Sequence, residues 1–299
     1  MSRRHLLDVD DLSPAELARV LDLAEVTAPA KLLDGQGVAM VFEKPSARTR
    51  HSMEMAVVQL GGHPAYITGV EVGLDDRESV EDVTRTLAGY YAIVGARVFD
   101  HGTVERMARV DWVPVVNLLS DRAHPMQALA DLFTIRQQLG GLGGRTIAWI
   151  GDANNVCRSL CLGAALSGMK VRVASPTGFG LSDADLVRIR RAGAEPYQTT
   201  EPGEAADGAD VVCTDVWVSM GQEAETARRR HVFAPYQVTA ELMDRAAPGA
   251  VFLHCLPARR GEEVTAEVLE GPRSRVWEQA RNRMHAARGL LTFLVGEGS

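Results

Sequence analysis

The sequence predicts an α/β protein of two domains, each a parallel sheet flanked by helices in a doubly wound arrangement, joined by long helices. Three observations lead there. Short apolar, β-like runs alternate with helical stretches, the pattern of a parallel sheet wrapped by its crossover helices. The alternation runs once before and once after Gly140-Gly141-Leu142-Gly143-Gly144, the densest glycine segment of the chain and so the natural boundary. The length of 299 residues suits two domains of roughly 150 each.

The first helix is announced by Ser13-Pro14-Ala15-Glu16: Ser13 can cap, proline suits the first helical position, and Glu16 closes a capping box. Leu17, Val20, Leu21 and Ala24 then form an apolar stripe at helical spacing. Strand-like runs follow at 37–42, 64–67, 92–99 and 113–118, separated by helical stretches at 52–60, 79–88 and 104–109. A long helical stretch over 126–139 leads into the glycines. Strand-like runs resume at 146–150, 170–174, 209–214 and 250–254, with helices between. The amphipathic stretch 276–295 is long enough to return to the first domain. The expected domains are therefore 1–139, 140–275 and a closing helix, 276–299, packed on the first.

With 46% hydrophobic and 24% charged residues, disordered, collagen-like and coiled-coil readings lose their ground. The net charge of −7 disfavours duplex nucleic acid and anionic membrane as partners, because both demand a basic face. Four cysteines are too few for a disulfide scaffold, and Cys157 and Cys161, four apart in a helical stretch, read as small buried side chains rather than zinc ligands. Acidic residues at Asp8, Asp10 and Asp11 interrupt any signal-peptide core, and no run of 18 apolar residues occurs, so a soluble cytoplasmic protein is expected.

Open parallel sheets bind ligands beyond the carboxyl ends of their strands. Six strand ends here are polar: Glu43 to Arg50, Arg97, Ser120 to Gln127, Gly151 to Asn155, Asp215 to Gly221, and His254-Cys255-Leu256-Pro257. At Ser46 to Arg50 a strand hands over to a helix, where the helix dipole, two hydroxyls and the Arg48 fork suit an oxyanion. His124 and Gln127 lie within a turn of each other and suit a small polar carbonyl. Taken singly, these segments also read as a solvated basic turn, a helix-start cap and core residues; their convergence describes a site. Gly151-Asp152 after a strand is reminiscent of a dinucleotide-binding turn, but G-x-G-x-x-G is absent.

Four blocks carry a family resemblance: 42–50 (FEKPSARTR), 124–131 (HPMQALAD), 215–223 (DVWVSMGQE) and 254–257 (HCLP). They resemble the signature blocks of ornithine carbamoyltransferases, and the likeness extends to Asn282-Arg283-Met284-His285 in the closing helix. The resemblance implies transfer of the carbamoyl group of carbamoyl phosphate to the δ-amine of ornithine, giving citrulline and phosphate for arginine biosynthesis, with no metal and no cofactor. It implies a homotrimer with active sites shared between subunits, and small-molecule substrates as partners. By motif matching, Ser46, Ala47, Arg48, Thr49, Arg77, Arg97, His124, Gln127 and Arg283 would hold carbamoyl phosphate. Asn155, Asp215, Ser219, Met220, Cys255 and Leu256 would hold ornithine, and Arg48, Arg97, His124 and Cys255 would be catalytic.

The chain departs from the family pattern at Met126, where cysteine is frequent, and at Arg259, where histidine is, both outside the residues that would do chemistry, and at two places that bear on it. Ala47 stands where a threonine is usual, removing a neutral donor worth about 0.5–1.5 kcal/mol. In Gly73-Leu74-Asp75-Asp76-Arg77, two carboxylates precede the arginine expected to reach a phosphate dianion in a neighbouring subunit, which is repulsive unless they point away. These departures keep open a specialised carbamoyltransferase for another amine.

Overall fold

The computed structural model of the chain describes residues 3–218 and 223–296, and it divides into two compact units. The first comprises Met1–Phe133 and Arg281–Ser299, the second Thr134–Ala280. Helices Pro125–Leu139 and Val276–Gly296 carry the chain from one unit into the other.

The first unit holds β1 (Gly37–Phe42), β2 (His63–Thr68), β3 (Ile93–Arg97) and β4 (Val115–Leu119), all parallel in the order β2-β1-β3-β4. β1 and β3 are buried almost throughout, as near-continuous apolar runs in a parallel sheet must be. Ala39, Val41, Val94 and Ala96 face Val80, Val83, Leu87, Val104 and Met107 in one core cluster. Ser13 and Glu16 form the expected capping box on helix Pro14–Glu25, whose Leu17, Val20, Leu21 and Ala24 are buried. Helix Ala47–Gln59 starts five residues earlier than its apolar pattern suggests, because Ser46 caps it and its first turn is polar. Helix His101–Arg109 likewise begins ahead of the predicted stretch, capped by Asp100.

The closing part of helix Val276–Gly296 packs against helix Pro14–Glu25 within the first unit. A Cβ at Gly289 would lie 2.5 Å from the Val20 carbonyl oxygen and 2.7 Å from the Ala24 nitrogen, so only glycine permits the approach. Buried Arg288 donates to the carbonyls of Ala24 and Val26 and to Gln59 Oε1, satisfying carbonyls at the C-terminal end of that helix.

The second unit holds β5 (Thr146–Ile150), β6 (Lys170–Ala174), β7 (Tyr197–Thr199), β8 (Val211–Thr214) and β9 (Val251–His254), parallel in the order β7-β6-β5-β8-β9. Sequence reading missed β7, a three-residue, largely exposed edge strand with no apolar run to reveal it. After β5 the chain turns at Gly151, whose φ of +125° is open only to glycine. Asn154 then caps helix Asn155–Leu166, its Oδ1 accepting from the N–H groups of Val156 and Cys157.

In each parallel sheet the order in which strands are added reverses once, between β1 and β3 in the first unit and between β5 and β8 in the second. Ligands bind outside the carboxyl ends of strands at such switch points. Among the described residues no helix is long and apolar enough to cross a membrane.

Candidate active site

At the first switch point, β1 ends at Phe42. The Glu43 N–H donates to Arg97 O (2.9 Å) and its carboxylate accepts from the Phe99 N–H (2.7 Å), which fixes the turn. Lys44 Nζ sits 4.1 Å from the Phe99 ring centroid, and burial, with help from Arg97, lowers its pKa. Ser46 Oγ contacts both Thr49 N (3.4 Å) and Thr49 Oγ1 (3.1 Å). Thr49, buried, accepts from Arg283 Nη2 at 2.8 Å, and Arg283 Nη1 donates to Gln127 Oε1. Gln127 Nε2 in turn donates to Asp131 (2.7 Å). Three segments far apart in sequence thus share one hydrogen-bonded chain.

His124 precedes helix Pro125–Leu139 and is buried. Burial first, then the positive charges of Arg283, Arg97 and Arg48, push its pKa well below the usual histidine value, so the imidazole is neutral at about pH 7. Arg97 is the last residue of β3, beside a register shift, so the strand stops two residues before the end of the strand-like run at 92–99. Arg48 and Ala47 open their helix and are exposed. The structure therefore brings Ser46, Arg48, Thr49, Arg97, His124, Gln127 and Arg283 together. Arg77 is exposed on the turn Gly73–Ser79, with its stem 3.1 Å from where a Cβ on Gly73 would sit.

One carboxylate of the acidic loop, Asp75, is held by an arginine. Arg106 grips Asp75 through Nη1 (2.6 Å) and Nη2 (3.0 Å) and holds Glu81 through Nε (2.7 Å) and Nη2 (2.5 Å). These bonds lower the pKa of Asp75 and hold that of Glu81 at about 2. Arg106 carries no motif signal, and sequence reading passed it over.

At the second switch point, buried Asp215 follows β8. Its Oδ2 accepts from Asn154 Nδ2 (2.8 Å), and its Oδ1 from the Val216 N–H (2.8 Å) and Cys255 Sγ (3.1 Å). Asn154, which sequence reading did not single out, makes this link, whereas half-buried Asn155 begins the helix. Half-buried Cys255 and Leu256 follow β9, and Leu256 has a φ of +60°. The Leu256 N–H donates to His254 Nδ1 (2.9 Å), so the ring proton belongs on Nε2, which donates to Glu263 Oε1 (3.0 Å). Glu263 also accepts from the Arg259 N–H (2.6 Å) and is fully buried, so His254 and Glu263 brace the Cys255 loop. Ser219 and Met220 lie outside the described residues.

Asp215, His254 and Cys255 each offer a ligand atom within 4.8 Å of the others, the arrangement among the described residues that could hold a metal. Both His254 ring nitrogens are already hydrogen-bonded and Cys255 donates to Asp215, so the cluster serves its own loop. Cys157 and Cys161 are buried, with their sulfur atoms 3.8 Å apart, and none of the four cysteines is in a disulfide.

Residues 4–137 match the carbamoyl-P binding domain, and residues 143–294 the Asp/Orn binding domain, of the aspartate/ornithine carbamoyltransferases. This chain belongs to the aspartate/ornithine carbamoyltransferase family. Within the family it is 50% identical over 296 residues to an ornithine carbamoyltransferase of Thermus thermophilus, covering 98% of this chain and 97% of the relative. The crystal structure of ornithine carbamoyltransferase from Thermus thermophilus matches with a TM-score of 0.90 at 46% identity, covering 99% and 100% of the two chains. That of Pyrococcus furiosus matches with a TM-score of 0.94 at 40% identity, covering 99% and 98%.

Proposed function

We propose that this family member transfers the carbamoyl group of carbamoyl phosphate to the δ-amine of L-ornithine, giving L-citrulline and phosphate. The observation that carries the reading is the convergence of three guanidinium groups, Arg48, Arg97 and Arg283, on the neutral imidazole of His124 at the first switch point. Such a cluster suits a phosphate dianion attached to a polar carbonyl. Arg48, Arg97 and the N-terminus of helix Ala47–Gln59 stabilise the departing phosphate. Arg48, Thr49 and His124 polarise the carbonyl oxygen as charge grows on it, with His124 acting as a neutral donor. Ser46 and Gln127 shape the cradle, and the backbone at Ala47 takes part without a hydroxyl.

In the second unit Asp215 pairs with the α-ammonium of ornithine, and Asn155 with Ser219 and Met220 takes its carboxylate. Cys255 and Leu256 flank the δ-amine. An alkylammonium with a pKa near 10.4 is a free amine in about one molecule in 2,500 at about pH 7, a cost near 4.6 kcal/mol. The amine attacks the carbonyl carbon, the tetrahedral intermediate expels phosphate, and the phosphate accepts the proton. Ornithine is favoured over another amine acceptor because the named relatives, at close to half identity, are ornithine enzymes along nearly their whole length.

The assembly we infer is a homotrimer in which Arg77 reaches the carbamoyl phosphate of a neighbouring subunit. The enzyme serves arginine biosynthesis in the cytoplasm, a placement supported by four cysteines that form no disulfide. Phosphate release from carbamoyl phosphate that depends on added ornithine and matches citrulline formed one for one tests the reading. Release that proceeds equally without ornithine overturns it.

A further inference from the structure

Asp152 lies in the same turn after β5 as Asn154, the residue that holds Asp215. Its Oδ2 accepts from both Nη1 (2.9 Å) and Nη2 (3.0 Å) of Arg229, which is buried on helix Thr226–Phe233. The Arg229 guanidinium carbon lies 5.0 Å from the Phe179 ring centroid and 5.6 Å from that of Phe233, within cation–π range of both. Phe233 stacks on Trp217 at 6.1 Å and 21°, and Trp217 is two residues beyond Asp215. The turn itself is tied down by Trp149 Nε1 donating to Asp152 O (2.9 Å) and by the Ala153 N–H donating to Phe179 O (2.9 Å). One guanidinium thus fastens the turn that orients Asp215 to the aromatic stack that holds the backbone just after Asp215.

We propose that Asp152 and Arg229 are positioning residues for the amino-acid substrate, holding Asp215 and the flanking backbone at Val216–Trp217 in the geometry that receives ornithine. The inference rests on the reading of the second unit as the ornithine-binding half. In this role both residues act through Asn154 and the aromatic stack. The pair fixes the charge partner of the α-ammonium, so its loss acts on ornithine and leaves carbamoyl phosphate binding untouched.

Burial raises the Asp152 carboxyl to about 6; Asp215 and Glu225 push in the same direction, against the opposing charges of Arg229 and Arg158. Glu225 also lies 3.4 Å from Arg229 Nε. Mildly acid solution therefore protonates Asp152 and weakens its grip on Arg229. Deprotonation of the ornithine amine alone gives log kcat/KM a slope of about one against pH. Loss of the pair steepens that slope toward about two on the acid side of the Asp152 pKa.

The test compares native enzyme with Asp152→Asn and Arg229→Lys. For Asp152→Asn we expect the ornithine KM at about pH 8 to rise at least about tenfold, equivalent to roughly 1.4 kcal/mol, with the carbamoyl phosphate KM within about twofold of native. Its acid-side steepening should vanish, an effect that a merely structural role would not produce. Arg229→Lys keeps a charge beside Asp152 and should show a smaller rise in ornithine KM with the steepening retained. An unchanged ornithine KM or persistent steepening in Asp152→Asn overturns the inference; if that variant does not fold, an unchanged ornithine KM in Arg229→Lys does so. Asp215→Asn run alongside separates the two layers. If it too leaves the ornithine KM unchanged, the ornithine reading of this unit fails; if it raises that KM while Asp152→Asn does not, only the positioning role fails.

Discussion

Arg283 Nη2 donates to Thr49 Oγ1 at 2.8 Å across 234 residues of sequence, and the other amino group of the same guanidinium donates to Gln127. The closing helix therefore does more than cover the first unit. Its arginine sets the hydroxyl at the mouth of the phosphate turn and the amide beside His124, and it adds a positive charge that keeps His124 neutral.

Replacing Arg283 with methionine leaves the buried Thr49 hydroxyl and Gln127 amide without their shared donor, at about 1–3 kcal/mol for each group stranded. The expected outcome is a carbamoyl phosphate KM raised at least about tenfold and a lower melting temperature, while the ornithine KM moves little. Calorimetric titration of carbamoyl phosphate into the variant checks it. Native-like affinity would remove Arg283 from the cradle.

Arg48→Ala deletes an exposed guanidinium that the proposed reading assigns to the phosphate of the substrate. A charge-assisted contact of roughly 1.5–3 kcal/mol, with the phosphate left partly unpaired, gives a fall in kcat/KM of at least about a hundredfold. Circular dichroism should show no loss of fold, since Arg48 is surface-exposed in the first helical turn. Near-normal kinetics would mean that this turn is not the phosphate cradle.

Most of this arrangement is legible in the sequence because buried parallel strands read as apolar runs and ligands gather at their ends. The boundaries were misplaced where polar first turns obscured helix starts, as at Ala47 and His101, and β7 was invisible because its exposed edge leaves no apolar signature. The motifs named residues that the proposed function assigns to substrate. They were silent on those that hold such residues in place, among them Asn154, Arg229, Glu263 and Arg106. A positioning residue is specified by its partner in space, and no local spacing announces that partner.

The buried histidine carries a stability signature. Burial and three arginines lower the His124 pKa in the folded state, while the unfolded imidazole takes up its proton below about pH 6.5. Between those values the unfolded chain binds more protons, so stability falls as the pH drops, by up to about 1.4 kcal/mol per pH unit for this group. His5, His101 and His285 are lowered in the same direction, each chiefly by burial, and add to the slope. Urea unfolding across mildly acid pH should give a shallower decline for His124→Asn than for the native chain. Identical slopes would show that His124 is not held neutral.

The shared-site reading predicts complementation. Arg106 holds Asp75 through two hydrogen bonds, so that carboxylate is already neutralised where it precedes Arg77. Arg48→Ala and Arg77→Ala enzymes should each be weak. Unfolding and refolding them together should create sites that pair an intact Arg48 with an intact Arg77, and activity should exceed the sum of the parents. Arg77→Ala with full activity, or a mixture that recovers nothing, would place the whole site within one subunit.

Carbamoyl transfer here is directed to ornithine, and kcat/KM for carbamoyl phosphate turnover with ornithine, lysine, putrescine and N-acetylornithine side by side tests it. If Asp215 pairs with the α-ammonium as proposed and the opposite end of the substrate must present its amine at a fixed reach, ornithine should exceed every other acceptor by at least about a hundredfold, roughly 2.7 kcal/mol of discrimination. Another amine turning over as well as ornithine, or better, would contradict the account and make this chain a carbamoyltransferase of different specificity.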